Sequence, residues 1–599
     1  MRDMHSRQTT NRLVEMIRDT VLLAFAFVSV AASTQLRAQS AASPSDIVGL
    51  WKAERHFGPD ARGPLIVQRT AAGYTADMMG FTVPITVSNG ELSFDLPNRE
   101  GSFRGKPQPG GAIRGYWFSA PIGDLGPAVP VTLHPNGANR WLGQVVPLDD
   151  DQTFFLLISR KPDGSLAAVL RNIERDYGAQ IGVRGVIRNG NAVSLVGGRG
   201  SATRDTVLTT GSYDTAMQVI TLNFPYRGGS YDFRRDDDPQ SSFYPRGKTP
   251  ARYVYRPPLA VDDGWPTASV EEVGLDRATV ERVVQQVIDM SMDSINAPQV
   301  HALLVARRGK LVLEEYFHGE HRKKLHNERS ASKSVTATII GAAMLAGAPL
   351  RLSTPVYQVM NGGSFPAGLE PRKRAMTLEH LMTMSSGYFC DDNNENAPGN
   401  ENGMWDQEGE PNFYTFALKL PMAFAPGEKA IYCSISPNLA LGMVGRATGE
   451  SPFYLFDRLV AAPLGITHYA WALDRARNPY GGGGMALYAR DFLKFGQMML
   501  EDGSWHGRRI LSPDFVKRAV SSLTKINGER DYGLLWWPDA KPYKGGSARL
   551  FAMLGAGGQL VFVFPELELV VATNGGSYAS RGWRYHGGEL IPGILPAVR

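Results

Sequence analysis

The sequence predicts a two-part chain, an all-β barrel or sandwich domain over residues 45–256 followed by an α+β domain over 267–599. Three observations predict it. Residues 45–256 are written in short alternating runs broken by Gly and Asn turns, the pattern of half-buried strands. Arg256-Pro257-Pro258-Leu259 through Gly264-Trp265-Pro266 then forms a stiff segment that reads as a linker over 257–266. Beyond it the period changes from two to 3.6, and strand-like runs return only near the C-terminus.

In the first part, Val83-Pro84-Ile85-Thr86-Val87, then Asn89-Gly90, then Leu92, Phe94 and Leu96 spells a hairpin with a tight turn. The device returns at Val186-Ile187, Asn189-Gly190, Val193 and Leu195, one hundred residues on, which hints at a duplicated β unit. Val219–Phe224 and Tyr253-Val254-Tyr255 read as further strands, and Gly49-Leu50-Trp51 resembles the opening of lipocalin-like barrels. Such a domain binds a ligand, or only shields or dimerises the second domain. In the second part, Val280, Val283, Val284, Val287 and Ile288 mark one face of a helix. Ala302–Ala306 and Leu311–Tyr316 are strands joined at Arg308-Gly309-Lys310, and Leu560–Phe564 and Leu567–Thr573 are strands at the far end. Strands at both ends with helices between imply one antiparallel sheet shared by the domain's termini.

At 599 residues the chain is long enough for two to four domains, and 43% apolar content supports packed cores. A net charge of +5 is small for this length, which argues against a nucleic-acid partner. Val21–Ala32 is too short to span a membrane and has the length of a signal-peptide core; Leu36-Arg37-Ala38 is a plausible cleavage site, so 1–38 reads as a leader. Fifteen residues precede Met16, and a start at Met16 would give a more ordinary leader. The expectation is a periplasmic or secreted protein with no stable membrane span. Cys390 and Cys433 are the only cysteines, and in an oxidising compartment an even pair reads as a disulfide, against two buried free thiols as the alternative.

Ser330-Ala331-Ser332-Lys333 opens a run of small and apolar residues, Val335 to Ala346. Three residues apart on a helix, Ser330 and Lys333 share a face. Near the first turn the serine hydroxyl lies in the positive field of unpaired N–H groups, and the lysine adds charge to a hydroxyl that is otherwise a poor nucleophile. The pattern alone also fits an N-cap serine beside a solvated lysine. About one hundred residues on comes Pro426-Gly427-Glu428-Lys429-Ala430-Ile431-Tyr432-Cys433-Ser434; between the two lies Thr377–Gly387, ending in Ser385-Ser386-Gly387. Gly481–Gly484, Ala489-Arg490-Asp491 and Phe495-Gly496 follow.

In this order the motifs resemble the serine β-lactamase-related superfamily, which includes class C β-lactamases, DD-peptidases, family VIII esterases and 6-aminohexanoate-dimer hydrolases. The resemblance covers residues 265–595. It implies a β-lactamase-like domain, an antiparallel sheet with a helical lobe, acting by acyl transfer through a covalent serine intermediate. Ser330 is then the nucleophile, Lys333 and Tyr432 share the proton work, and Ser434 completes the second motif beside the substrate. The third motif is matched by Met553-Leu554-Gly555, with Gly555 at the substrate and the oxyanion held by the N–H groups of Ser330 and Ala556. The family's cation at this motif is replaced by Met553, which counts against β-lactams and favours neutral esters or amides of small molecules, short peptides or oligomers. Arg549 is a candidate substitute for that cation. A Cys390–Cys433 bridge would lie beside the site and brace Tyr432. No metal or organic cofactor is required.

Ser332 and Ser334 flank the motif without a lysine three residues on, and His380 reads as structural. Asp391–Asn412 carries seven acids and no Lys or Arg, the composition of a solvated loop or of an acidic lip favouring cationic substrates. A desolvated Lys333 is expected to have a lowered pKa. The competing readings are a β-lactamase or D-peptidase, and a non-catalytic binding module on the same fold.

Overall fold

The computed structural model describes residues 47–120, 126–198, 204–578 and 580–599; the expected leader lies outside them. The N-terminal β region holds two closed systems rather than one. Eight antiparallel strands form a barrel in which Gly49–His56 closes the ring between Asp151–Arg160 and Gly229–Arg235. The eight strands from Gly63–Thr70 to Arg140–Val145 are inserted between the barrel's first strand and the rest. They curl until Arg140–Val145 pairs with both Gly63–Thr70 and Ala128–Pro135.

The hint of a duplication takes physical form here. Each eight-strand half contributes its first strand to the other half's ring: Gly49–His56 joins the second ring, and Arg140–Val145 joins the first. In each half the Asn-Gly turn follows the fourth strand. Asn89 and Gly90 both have positive φ, +50° and +76°, as a tight hairpin of right-handed twist demands. Closure removes the exposed edges at which strands aggregate. Trp51, Phe154, Leu156, Leu195 and Phe233 pack together as the barrel's buried apolar core.

The C-terminal part is α+β. Its six-stranded antiparallel sheet runs in the order Lys310–Tyr316, Val300–Arg307, Leu569–Gly575, Gln559–Phe564, Gly546–Gly555, Trp537–Tyr543, so the two ends of the domain meet at Val305 and Val571 as expected. Helix Arg277–Ile288 buries Val280, Val283, Val284, Val287 and Ile288, and Asp276 caps it by accepting the Thr279 N–H. Gly496 on helix Ala489–Leu500 lies where a Cβ would stand 2.6 Å from Val561 and Val570, so glycine sets how closely helix and sheet pack.

The two parts are joined by more than the 257–266 segment. The inserted ring continues through Trp471, opposite Ala128, into the short strands Ala470–Trp471, Met485–Leu487 and His326–Asn327. Arg114 pairs with Asp457, and the Tyr116 hydroxyl donates to the Phe453 carbonyl at 2.7 Å. The segment read as a linker is itself pinned: Arg490 donates to the Leu259 carbonyl (2.8 Å) and to Asp263 (3.0 Å), and the Trp265 indole donates to the Arg490 carbonyl (3.0 Å). Among the described residues no helix is long and apolar enough to cross a membrane.

Candidate active site

Ser330 lies in the 3-10 turn Arg329–Ala331 that leads into helix Ser332–Leu345. Arg329, directly before it, holds φ at +49°, a left-handed conformation that costs a non-glycine residue about 1 kcal/mol or more. Two forces hold the turn. The Glu328 N–H donates to the Met485 carbonyl (2.8 Å), and the Glu328 carboxyl, buried, accepts from the Asn574 amide (2.9 Å). Burial pushes that carboxyl well above the usual carboxylate range, against the pull of the Asn574 amide. The flanking hydroxyls are occupied: Ser334 Oγ donates to the Leu535 carbonyl (2.6 Å), and Ser332 Oγ accepts the Met485 N–H (3.2 Å). Ser330 itself stays half-exposed.

The Lys333 ammonium is 2% exposed and donates to Ser330 Oγ (3.0 Å) and to the Gly482 carbonyl (2.5 Å). It sits 4.9 Å from the centroid of the Tyr432 ring. The carbonyl can come so close because residue 482 is glycine; a Cβ there would lie 2.3 Å from the Tyr480 hydroxyl. Burial draws the lysine pKa down, but Tyr432, Glu401 and Asp392 outweigh it and the net direction is up. This corrects the expectation of a lowered lysine: the charge is kept because anionic neighbours surround it.

Those neighbours are what sequence reasoning missed. Asp392 accepts both the N–H (2.8 Å) and the hydroxyl (2.6 Å) of Ser434. Its own N–H donates to the Tyr432 carbonyl (3.0 Å). Glu401 accepts from the Tyr480 hydroxyl (2.5 Å). The acidic stretch is therefore not a solvated loop throughout: Asn400 caps helix Glu401–Asp406, and Asp392 clasps the second motif. The signal was in the cysteines. Cys390 and Cys433 are bridged, which brings Asp392, two residues past one, beside Ser434, one residue past the other. Trp537 stacks on Tyr432 (5.9 Å between centroids, 27°), and Tyr532 meets Trp537 edge-on at 4.5 Å.

The strand read as the third motif lies against the turn that carries Ser330. A Cβ on Gly555 would stand 2.3 Å from the Glu328 carbonyl and 3.2 Å from the Ala331 nitrogen. Gly555→Ala should push strand and turn apart and lower kcat for an ester by about a hundredfold, with the melting temperature separating misplacement from unfolding. Ala556 follows at the exposed end of the strand, and Met553 is fully buried in the core. Arg549 does not substitute for the missing cation. Its side chain is 82% exposed, four residues before Met553 on the strand, and paired with Glu566 at 2.7 Å. His380 is structural as expected, its Nδ1 closing a capping box with Thr377 at 3.1 Å.

A half-exposed serine beside a buried lysine at a helix start, a tyrosine facing the lysine and a glycine strand edge beside the serine are the layout of a serine hydrolase of the β-lactamase type. Residues 284–576 match the Beta-lactamase family model, and this part of the chain belongs to the serine β-lactamase-related superfamily. The chain is 24% identical over 288 residues to the 6-aminohexanoate-dimer hydrolase of Paenarthrobacter ureafaciens, covering 45% of this chain and 71% of that one. Similar solved structures include a family VIII carboxylesterase (TM-score 0.42, 15% identity, 53% of this chain and 95% of that one). Another is a penicillin-binding protein homologue from Caulobacter crescentus (TM-score 0.39, 17% identity, 53% and 97%).

Proposed function

We propose that the protein is an exported serine hydrolase that cleaves an ester or amide bond through an acyl-enzyme on Ser330. The observation that carries this is the 3.0 Å contact between Lys333 Nζ and Ser330 Oγ, with the Tyr432 ring facing the same ammonium. With its charge retained, Lys333 donates to the serine oxygen and stabilises the developing alkoxide. Tyr432, facing the same ammonium, is assigned as the group that accepts the serine proton. Ser330 Oγ then bonds to the substrate carbonyl carbon, the leaving group departs with that proton, and water releases the acyl group by the reverse path. The Ser330 and Ala556 N–H groups are assigned to the oxyanion. Gly555 and Ser434 are assigned to the substrate's flank, with Ser434 held in place by Asp392.

Met553 favours neutral substrates over β-lactams, because a buried thioether cannot anchor a carboxylate. A neutral amide is therefore a candidate alongside short esters. The Cys390–Cys433 bridge and the apolar segment before Leu36 support a periplasmic or secreted location. Comparing p-nitrophenyl butyrate with a chromogenic cephalosporin and a D-alanyl peptide tests the substrate reading. Turnover of the ester alone is expected; turnover of the cephalosporin or peptide alone would shift the assignment to a β-lactamase or D-peptidase.

A pH profile probes Asp392. Burial and the nearby Glu401 carboxylate push its carboxyl up to about 6, against the opposing pull of Lys333 and Ser434. Below that pH it protonates, its hold on Ser434 weakens and Lys333 loses a countercharge. Activity should therefore fall along an acid limb centred near pH 6, and Asp392→Asn should show a low plateau without that limb. The stability sign is opposite. A carboxyl with a raised folded pKa binds its proton more readily folded than unfolded, so this group alone stabilises the fold as pH falls from 6 towards the ordinary carboxylate range. Loss of activity there is thus separable from unfolding by the melting temperature.

A further inference from the structure

One cavity of the described residues does not include Ser330 in its lining. A chamber of about 500 Å³ lies between the barrel and the hydrolase part, and its walls include Asn327, Arg329 and Tyr578. Its lining mixes both signs of charge, but the signs are not equally free. Glu54 is paired with Lys52 (3.0 Å), Asp150 with Arg175 (3.0 Å) and Glu320 with Lys324 (2.7 Å). Asp149 is paired with Arg62, and Asp151 with His56 at 2.6 Å. Glu174 accepts from the Asn172 amide (2.6 Å) and the Thr153 N–H (3.0 Å). Among the cations, Lys323 and Arg329 have no acidic partner among the described residues; Arg329 instead lies over the Tyr578 ring at 4.7 Å. His301, 1% exposed, leaves its Nε2 without a hydrogen-bond partner, and the His326 Nδ1 is likewise unpartnered. The chamber offers positive charge at Lys323 and Arg329 while its acids are already paired, and the His301–His326 pair, held near neutrality by burial, backs it with one unspent ring N–H.

We propose that this chamber is a binding site for a small carboxylate, with Lys323, Arg329 and the His301–His326 pair as its recognition groups. It has the size of a small-molecule site. It is also coupled to the candidate active site by construction. Arg329 is the residue before the nucleophile. Tyr578, its stacking partner, accepts from Gln559 (3.1 Å) and lies where a Cβ on Gly557 would fall, at 2.6 Å, so it packs on the turn that carries Ala556. The carboxylate has two sources: the substrate itself, its charged end held on the barrel side of the nucleophile, or a separate effector. The first source rests on the hydrolase reading above and the second does not.

Titration calorimetry with glutarate on the Ser330→Ala protein tests binding without any turnover. Saturable heat is expected, weakened about tenfold by Lys323→Gln and restored by Lys323→Arg. The source is then read from mono-p-nitrophenyl glutarate against p-nitrophenyl butyrate in the wild type. A KM about tenfold lower for the charged ester, with glutarate competing against it, assigns the carboxylate to the substrate. Glutarate that binds, alters butyrate turnover and does not compete assigns it to an effector. Absence of heat, or heat unchanged by both Lys323→Gln and Arg329→Gln, overturns the site. A wild type that binds glutarate but hydrolyses neither ester leaves the site standing and removes the hydrolase reading instead.

Discussion

Ser330→Ala is expected to reduce kcat for p-nitrophenyl butyrate by about a thousandfold or more, leaving only what binding and the oxyanion groups give over water. The fold should survive the change. Ser330 is half-exposed, and its hydroxyl's contact is with Lys333, which keeps its bond to the Gly482 carbonyl. The melting temperature should therefore move little while activity disappears, and measuring both on one preparation checks it. Ser332→Ala and Ser334→Ala are the controls. Their hydroxyls are tied to Met485 and Leu535, so they should affect stability before chemistry.

Trp471→Ala should produce the largest loss of stability, about 3–5 kcal/mol for an aromatic removed from a packed core. Trp471 is 1% exposed and its indole N–H donates to the Tyr480 carbonyl at 2.9 Å. Its ring meets Phe453 at 5.6 Å and Phe456 at 5.5 Å, and its backbone pairs with Ala128 of the inserted ring. One side chain thus supports the junction between the N-terminal strands and the hydrolase part. Through Tyr480 it also supports Glu401 and the Lys333 environment. Chemical denaturation should show the lower midpoint, and activity measured well below it should fall as well, because Tyr480 loses its backbone support. Unchanged stability would mean that the two parts fold independently of this contact.

Much of the hydrolase part was legible in local pattern. The Val280–Ile288 face, the hairpin at Arg308-Gly309 and the return of strands near Leu560 are each readable within a few residues, because burial follows the helical or strand period. Ser330, Lys333 and Tyr432 were legible as motifs. The structure brings them together at a helix start, since S-x-x-K spacing needs only one turn to do so. What was not legible depends on contacts far apart in sequence. Asp392 reaches Ser434 across 42 residues, Lys333 reaches Gly482 across 149, and the exchange of first strands between the two rings leaves no local trace. The pKa direction of Lys333 was missed for the same reason: burial was foreseeable, but Tyr432, Glu401 and Asp392, which outweigh it, all come from far along the chain.

The central claim is that Ser330 forms a covalent acyl-type adduct. It is tested most directly by labelling the folded protein with an alkyl fluorophosphonate and mapping the modified peptide by mass spectrometry. A single adduct on Ser330, absent from Ser330→Ala, is the predicted result. A folded wild type that takes no label, or a label that persists in Ser330→Ala, would contradict it.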